Sequence, residues 1–253
     1  MKVVSFSSIK GGTGKSSLAI LTANYCAASG ARVLVVDLDI QNSASFYYLA
    51  DPEAAERKNV AAALQSGDLA GNIVPSNVKG IDLLPSSFSL VNLRSCSERT
   101  LRKAITAAAL PYDFAFIDCA PTLDNLVLNA VLASDLIITP VRLSQFDWKG
   151  ARFYRDQIEA DTDKADAWRV LFNFYRPPRS DSPDALANQY EAQFREAFDG
   201  AILPVSIPES SLVQRAIDTR ESITAAAAKT RLFQAIKDLA ELIGAGALVV
   251  ERF

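Results

Sequence analysis

The feature that most narrows what this chain can fold into is a glycine-rich turn set between two structured segments. Val3 to Ser7 has the length and apolar character of a buried strand, and Ser16 to Ser29 reads as a helix that Gly30 ends. Between them lies Lys10-Gly11-Gly12-Thr13-Gly14-Lys15-Ser16. A second buried strand follows from Arg32 to Asp37, with Val-Leu-Val-Val at its centre. Strand, glycine loop, helix and strand in about 35 residues make a βαβ unit. Its strands are apolar on both faces, so the unit demands a parallel sheet covered by helices on both sides.

The alternation continues along the chain. Strands are expected at Ile81 to Leu84, Phe114 to Cys119, Leu136 to Val141, Trp168 to Asn173 and Ala201 to Ser206. Helices are expected at Asn59 to Gln65, Leu90 to Ala109, Leu123 to Ala133, Gln145 to Ala160, Asp184 to Phe198 and Lys229 to Ile243. The last of these places Leu232, Phe233, Ile236, Leu239, Ala240 and Ile243 on one stripe, which is a core-packing face. Arg176 to Pro183 reads as an exposed loop. No internal repeat or linker divides the 253 residues, so the expectation is one α/β domain over 1–253 with roughly seven or eight strands.

Composition removes several classes of chemistry. The chain has no histidine, which excludes histidine acid/base catalysis and histidine metal sites. Cys26, Cys96 and Cys119 are far apart and lack metal-ligand spacing, so they read as small thiols in the packing. No apolar run reaches the roughly 18 residues a membrane span needs. The N-terminal segment lacks a signal-peptide layout, which points to the cytoplasm. A net charge of −3 does not advertise nucleic-acid binding, so any such binding must come from a local patch.

The loop itself points to phosphate. Three glycines let the backbone close around phosphate oxygens and aim N–H groups at them, and the following helix start adds the positive end of its dipole. Lys15 can neutralise β- and γ-phosphates, and the Ser16 hydroxyl can ligate Mg²⁺. The usual pattern G-x-x-x-x-G-K-[ST] is not met in full, because Ile9 holds the first glycine position. Two acidic segments accompany the loop. In Val35-Val36-Asp37-Leu38-Asp39-Ile40-Gln41-Asn42, strand alternation sends Asp37 and Asp39 to the same side, and a bound cation would relieve their repulsion. In Phe114-Ala115-Phe116-Ile117-Asp118-Cys119-Ala120-Pro121, an apolar strand delivers Asp118 at its end, the arrangement of a Walker B element.

Together these segments resemble the ParA/MinD family of ATPases, whose deviant phosphate loop reads K-G-G-x-G-K-[ST]. The resemblance implies an ATP- and Mg²⁺-using enzyme in which Lys10 reaches across a nucleotide-sandwich homodimer to the partner's phosphates. The segment after the second strand is similar to the family's D-x-D-P-Q, with Ile40 in place of proline. By that likeness Asp39 positions or activates the attacking water and Asp37 assists near Mg²⁺. The Asp118 segment is similar to D-C-P-P, with Ala120 as a departure and Cys119 at a normal family position. The implied catalytic set is thus Lys10, Lys15 and Asp39. Nucleotide contacts fall to Lys10, Gly11, Gly12, Thr13, Gly14, Lys15, Ser16 and Ser17, with Asn173 and Pro208 near the adenine. Ser16, Asp37 and Asp118 are the residues for the metal.

Within that family the remainder of the chain resembles ParA-type partition ATPases. Its C-terminal stretch, Gly244 to Phe253, carries one base and makes a poor membrane-surface helix, unlike MinD-like members. The resemblance implies a cytoplasmic, nucleoid-associated switch that positions plasmid, chromosome or protein cargo. It implies non-specific DNA binding by the ATP dimer, release by a ParB-like activating partner, and no N-terminal helix-turn-helix domain. Candidate DNA contacts are Arg215, Arg220, Lys229, Arg231 and Lys237, although Asp218, Glu221, Asp238 and Glu241 are interleaved with them. A metal-cluster or metabolic ATPase on the same scaffold, and a MinD-like membrane-cycling switch, are the alternative readings.

Overall fold

The computed structural model describes residues 1–93, 97–177, 185–220 and 230–244. Its strands are β1 (Lys2–Phe6), β2 (Val33–Leu38), β3 (Val74–Pro75), β4 (Ile81–Leu84), β5 (Phe114–Cys119), β6 (Leu136–Val141), β7 (Trp168–Tyr175) and β8 (Ile202–Pro208). The helices are α1 (Lys15–Ala28), α2 (Ser43–Tyr48), α3 (Pro52–Arg57), α4 (Val60–Ser66), α5 (Thr100–Ala108), α6 (Asn125–Ala133), α7 (Gln145–Asp161), α8 (Ala185–Ala197), α9 (Ser211–Thr219) and α10 (Arg231–Ile243). All eight strands form one sheet in the order β3-β4-β2-β5-β1-β6-β7-β8. Every pairing is parallel except β3 with β4. This is the expected α/β class, with helices on both faces and a strand count at the top of the expected range.

The sheet order follows from burial. β2 and β5 are buried at every position, and β1 lies between β5 and β6, so the strands that lead into the phosphate loop and the acidic segments occupy the middle of the sheet. On one face α1 and α10 pack into a core with Val4, Phe6, Val35 and Phe116. Thr230 caps α10 by accepting from the Phe233 amide, and Gly244 ends it at φ 112°. The expected stripe holds at Leu232, Ile236, Leu239, Ala240 and Ile243, but Phe233 is only half-buried and meets Tyr25 edge-on, at 5.6 Å between ring centres. The opposite face holds two clusters, one built on α4, α5 and α6 and the other on α6, α7 and α8.

Several elements depart from the sequence expectation for identifiable reasons. The helix expected from Leu90 to Ala109 divides: Phe88–Leu93 is a 3₁₀ turn, and the α-helix begins only at Thr100. Helices α2, α3 and α9 were not foreseen. α2 carries the aromatic segment Phe46-Tyr47-Tyr48, whose tyrosines are buried and satisfied by Asn24, a partner 23 or more residues away. β3 is two residues with a proline at the sheet edge, where no ladder amide is needed. β7 runs two residues past Asn173, to Tyr175, with Phe174 at φ 55° where the register with β8 shifts. Lys229 and Cys96, both singled out in the sequence, lie outside the described residues.

Candidate phosphate-binding site

The site assembles at the carboxyl ends of β1, β2 and β5, where a doubly wound sheet presents its crevice. β1 delivers the chain into the loop, and Gly12 and Gly14 turn it at φ 72° and 93°. Only glycine takes these values without a Cβ penalty. Inside the turn Ser8 Oγ lies 3.1 Å from Thr13 Oγ1 and donates to the Lys10 carbonyl at 3.2 Å. Lys15 folds into the same concavity, donating to the Lys10 carbonyl at 2.9 Å, and is 6% exposed. No side chain caps the start of α1, which leaves its first amides for an anion. Gly11, Gly12, Lys15, Ser16, Asp39 and Pro121 are among the residues lining a cleft of about 400 Å³ over the loop.

The three carboxylates behind the loop have different fates. Asp37 and Asp118 sit opposite each other on β2 and β5 and are both fully buried. Asp37 is satisfied: one oxygen accepts from the Asp39 amide, and the other accepts from both the amide and the hydroxyl of Ser45, each at 2.7 Å. Neither oxygen of Asp118 has a hydrogen-bond partner of good geometry. Asp39 lies just beyond β2, which ends at Leu38. It accepts from the Gln41 amide and borders the cleft, which Asp37 does not.

Burial dominates the ionisation of this group. It raises Asp118 well above the usual carboxylate range, the Asp37 charge adds to the rise, and Ser16 and Lys15 oppose it. It also pushes Asp37 up to about 6, against the hydrogen bonds from Ser45. Lys15 is lowered by the same desolvation, with Asp118 acting the other way. A buried acidic pair with one carboxylate unsatisfied is poised for a cation, so Asp118 and Ser16 fit a hard divalent ion. The two described thiols are held protonated: burial pushes Cys26 up to about 12 and raises Cys119 as well.

Two residues that sequence reasoning passed over hold the loop. Arg142, just beyond β6, donates to the Gly12 carbonyl at 3.2 Å and lies 4.0 Å over the Phe174 ring. Asp147, in the first turn of α7, forms an ion pair with Lys10. A serine–aspartate capping pattern, Ser144-x-x-Asp147, was visible in the sequence, but a pairing across 137 residues was not.

Asn173 has a role the sequence did not suggest. Its amide donates to the Thr13 carbonyl at 2.8 Å and accepts from the Phe174 N–H. It therefore braces the loop. Together with Ser17, Leu21 and Pro208 it also lines a small pocket of about 110 Å³. The basic residues are dispersed over two helices. Arg215 is exposed on α9, Arg220 follows it and stacks over Phe46 at 4.2 Å, Arg231 opens α10, and Lys237 lies 3.8 Å from Glu241. Among the described residues no helix is long and apolar enough to cross a membrane.

This fold and loop define an ATPase of the P-loop type. A family model described as an AAA domain matches residues 1–165. The chromosome-partitioning ATPase Soj of Thermus thermophilus is 30% identical over 208 residues, covering 79% of this chain and 78% of the relative. Among solved structures, the ATP complex of a Cyanothece McdA variant superposes with a TM-score of 0.79 at 18% identity, covering 96% of both chains. A Borrelia burgdorferi plasmid partition protein bound to AMPPNP gives 0.75 at 21% identity, covering 95% of this chain and 97% of that one. The chain belongs to the ParA-type partition ATPases.

Proposed function

We propose that the protein is an ATP-driven dimeric switch that positions DNA or protein cargo. The observation that carries this reading is the division of labour between two lysines of one loop. Lys15 is buried in the concavity where a phosphate would sit, whereas the Lys10 side chain is 40% exposed at its mouth. A second cation there has no phosphate to serve within its own subunit, since Lys15 already fills that place. Across a sandwich of two subunits it gains one. The ATP carried by the McdA relative and the AMPPNP carried by the Borrelia relative support nucleotide as the ligand.

In this reading Lys15 and the amides of Gly11 to Ser17 hold the triphosphate. Asp39 borders the cleft with free carboxylate capacity and positions the attacking water. Ser16 and Asp118 hold Mg²⁺, and Asp37 adds its charge from behind while its oxygens stay with Ser45 and Asp39. When bound, the metal neutralises charge on the β- and γ-phosphate oxygens. Asn173 and Pro208 border the pocket for the base. The paired form binds DNA without sequence preference through Arg215, Arg231 and their neighbours, and a ParB-like partner triggers its release.

Two measurements test this. Lys10→Ala should keep nucleotide affinity and lose dimer-dependent hydrolysis by about 10³ or more, as other phosphoryl-transfer sites do without a cation supplied in trans. Hydrolysis at the parent rate would end the cross-subunit role. Duplex DNA should bind only with ATP, weaken steeply between about 50 and 200 mM salt, and weaken again in Arg215→Glu. Equal binding with ADP would favour the metabolic alternative.

A further inference from the structure

We propose that Asp147 is a latch that holds Lys10 within its own subunit and so sets how readily two subunits pair. The inference rests on the cross-subunit role of Lys10 given above. The two ends of this ion pair differ in freedom. The Asp147 side chain is 1% exposed and belongs to the first turn of α7, whereas that of Lys10 is 40% exposed on a glycine loop. The carboxylate is therefore the fixed end and the ammonium the mobile one.

Asp147 is also incompletely satisfied. One of its oxygens takes both the Lys10 ammonium and the Ser144 hydroxyl, and the other is buried with no hydrogen-bond partner. Ser144 closes the motif by accepting the Asp147 amide at 3.2 Å. When Lys10 leaves, a buried carboxylate keeps only a serine hydroxyl and the amide end of α7. Leaving a buried charge without its counter-ion is costly, and that cost opposes departure. A phosphate across the interface must offer Lys10 more than Asp147 does. The triphosphate can do so, because the γ-phosphate adds charge that a diphosphate lacks. The latch thus makes pairing selective for ATP over ADP.

The start of α7 does not by itself require the pair. An Asp at this position is already accounted for as a helix-start residue by Ser144, and that capping needs no lysine. Lys10 for its part contributes its carbonyl, not its ammonium, to the internal bonding of the loop.

The test is the concentration dependence of pairing, read by analytical ultracentrifugation with Mg²⁺ and either AMPPNP or ADP. Asp147→Asn should move the AMPPNP midpoint to a protein concentration lower by about a hundredfold, because each of the two subunits is relieved of a charge-assisted contact worth about tenfold. It should also let ADP produce measurable pairing. Asp147→Glu should stay near the parent value, because it retains the charge. Asp147→Ser is made in parallel as a second neutral variant that keeps a hydroxyl at the helix start, and thermal melts confirm that each variant is folded. An unchanged or higher midpoint in the folded neutral variants overturns the latch. Lys10→Ala separates the two levels of the argument. If it pairs as well as the parent, the cross-subunit reading itself fails. If it does not pair while Asp147→Asn pairs no better than the parent, only the latch fails.

Discussion

The two sides of the nucleotide cleft are built on opposite principles. On the phosphate side the polar groups are held in reserve: Lys15 is turned onto a backbone carbonyl, Asp118 has no partner of good geometry, and α1 starts without a side-chain cap. On the side of β6 and β7 they are spent. Asn173 is committed at both ends of its amide, and Arg142 is shared between the Gly12 carbonyl and the Phe174 ring. The first arrangement stores unsatisfied charge that only a ligand can answer. The second fixes the loop in shape so that the ligand meets it ready-made. Chemistry and support thus occupy separate strands, with β1, β2 and β5 carrying the first and β6 and β7 the second.

The contrast would break most visibly in binding. Lys15→Ala removes the reserve and should lower ATP affinity on the order of 10³-fold, the worth of two charge-assisted phosphate contacts. Asn173→Ala removes only a brace worth about 1 kcal/mol and should lower affinity less than about tenfold. Calorimetric titration of both variants decides the matter. Equal losses would mean that Asn173 binds nucleotide directly and that the division does not hold.

A smaller effect sharpens the support role. A Cβ on Gly14 would stand 2.3 Å from the Asn173 amide nitrogen, at a backbone φ of 93°. Gly14→Ala should therefore cost about 2–4 kcal/mol of stability in urea unfolding, combining the left-handed backbone penalty with the clash. Adding Asn173→Ala should recover the clash but not the backbone share, so the two changes should be less than additive. Strict additivity would show that the two residues do not press on each other.

The same division explains what could be read from the sequence. On the phosphate side the loop could be read because Lys10 to Ser16 stand together between a strand and a helix, whereas the roles expected of Asp37 and Asp39 came from a family resemblance. The central strands were legible for a related reason, since burial on both faces leaves apolar runs such as Val33 to Val36. The support side was not legible. Asn173 reaches Thr13 across 160 residues, and Lys10 reaches Asp147 across 137, and no local pattern encodes either. Asp37 and Asp39 were expected on one side by strand alternation, but β2 ends at Leu38, and of the two only Asp39 borders the cleft. Ser45, which claims Asp37, lies on a short helix of aromatic composition that does not look helical.

The smallest effect tests whether Asp118 is truly held in reserve. Its folded-state pKa is raised, chiefly by burial, and that of Asp37 is raised to about 6. A carboxylate raised on folding binds its proton more tightly in the native state. Its contribution to stability is complete below the unfolded value near 3.9 and is lost as pH rises through the folded value. The nucleotide-free, Mg²⁺-free protein should therefore lose stability as pH rises from about 4 through about 6, where Asp37 ionises, and further where Asp118 follows. Asp118→Asn keeps the shape, stays neutral throughout and relieves the repulsion on Asp37. Its melting temperature should fall less as pH rises, and once Asp118 is ionised in the parent the variant should lie above it by about 2–4 °C, the equivalent of roughly 1 kcal/mol in a chain of this size. Mg²⁺ with nucleotide should flatten the parent profile more than that of the variant, which keeps Asp37 but lacks the unsatisfied Asp118 carboxylate. Parallel profiles for the two proteins without ligand would mean that Asp118 is satisfied in solution and that the cleft holds no stored charge.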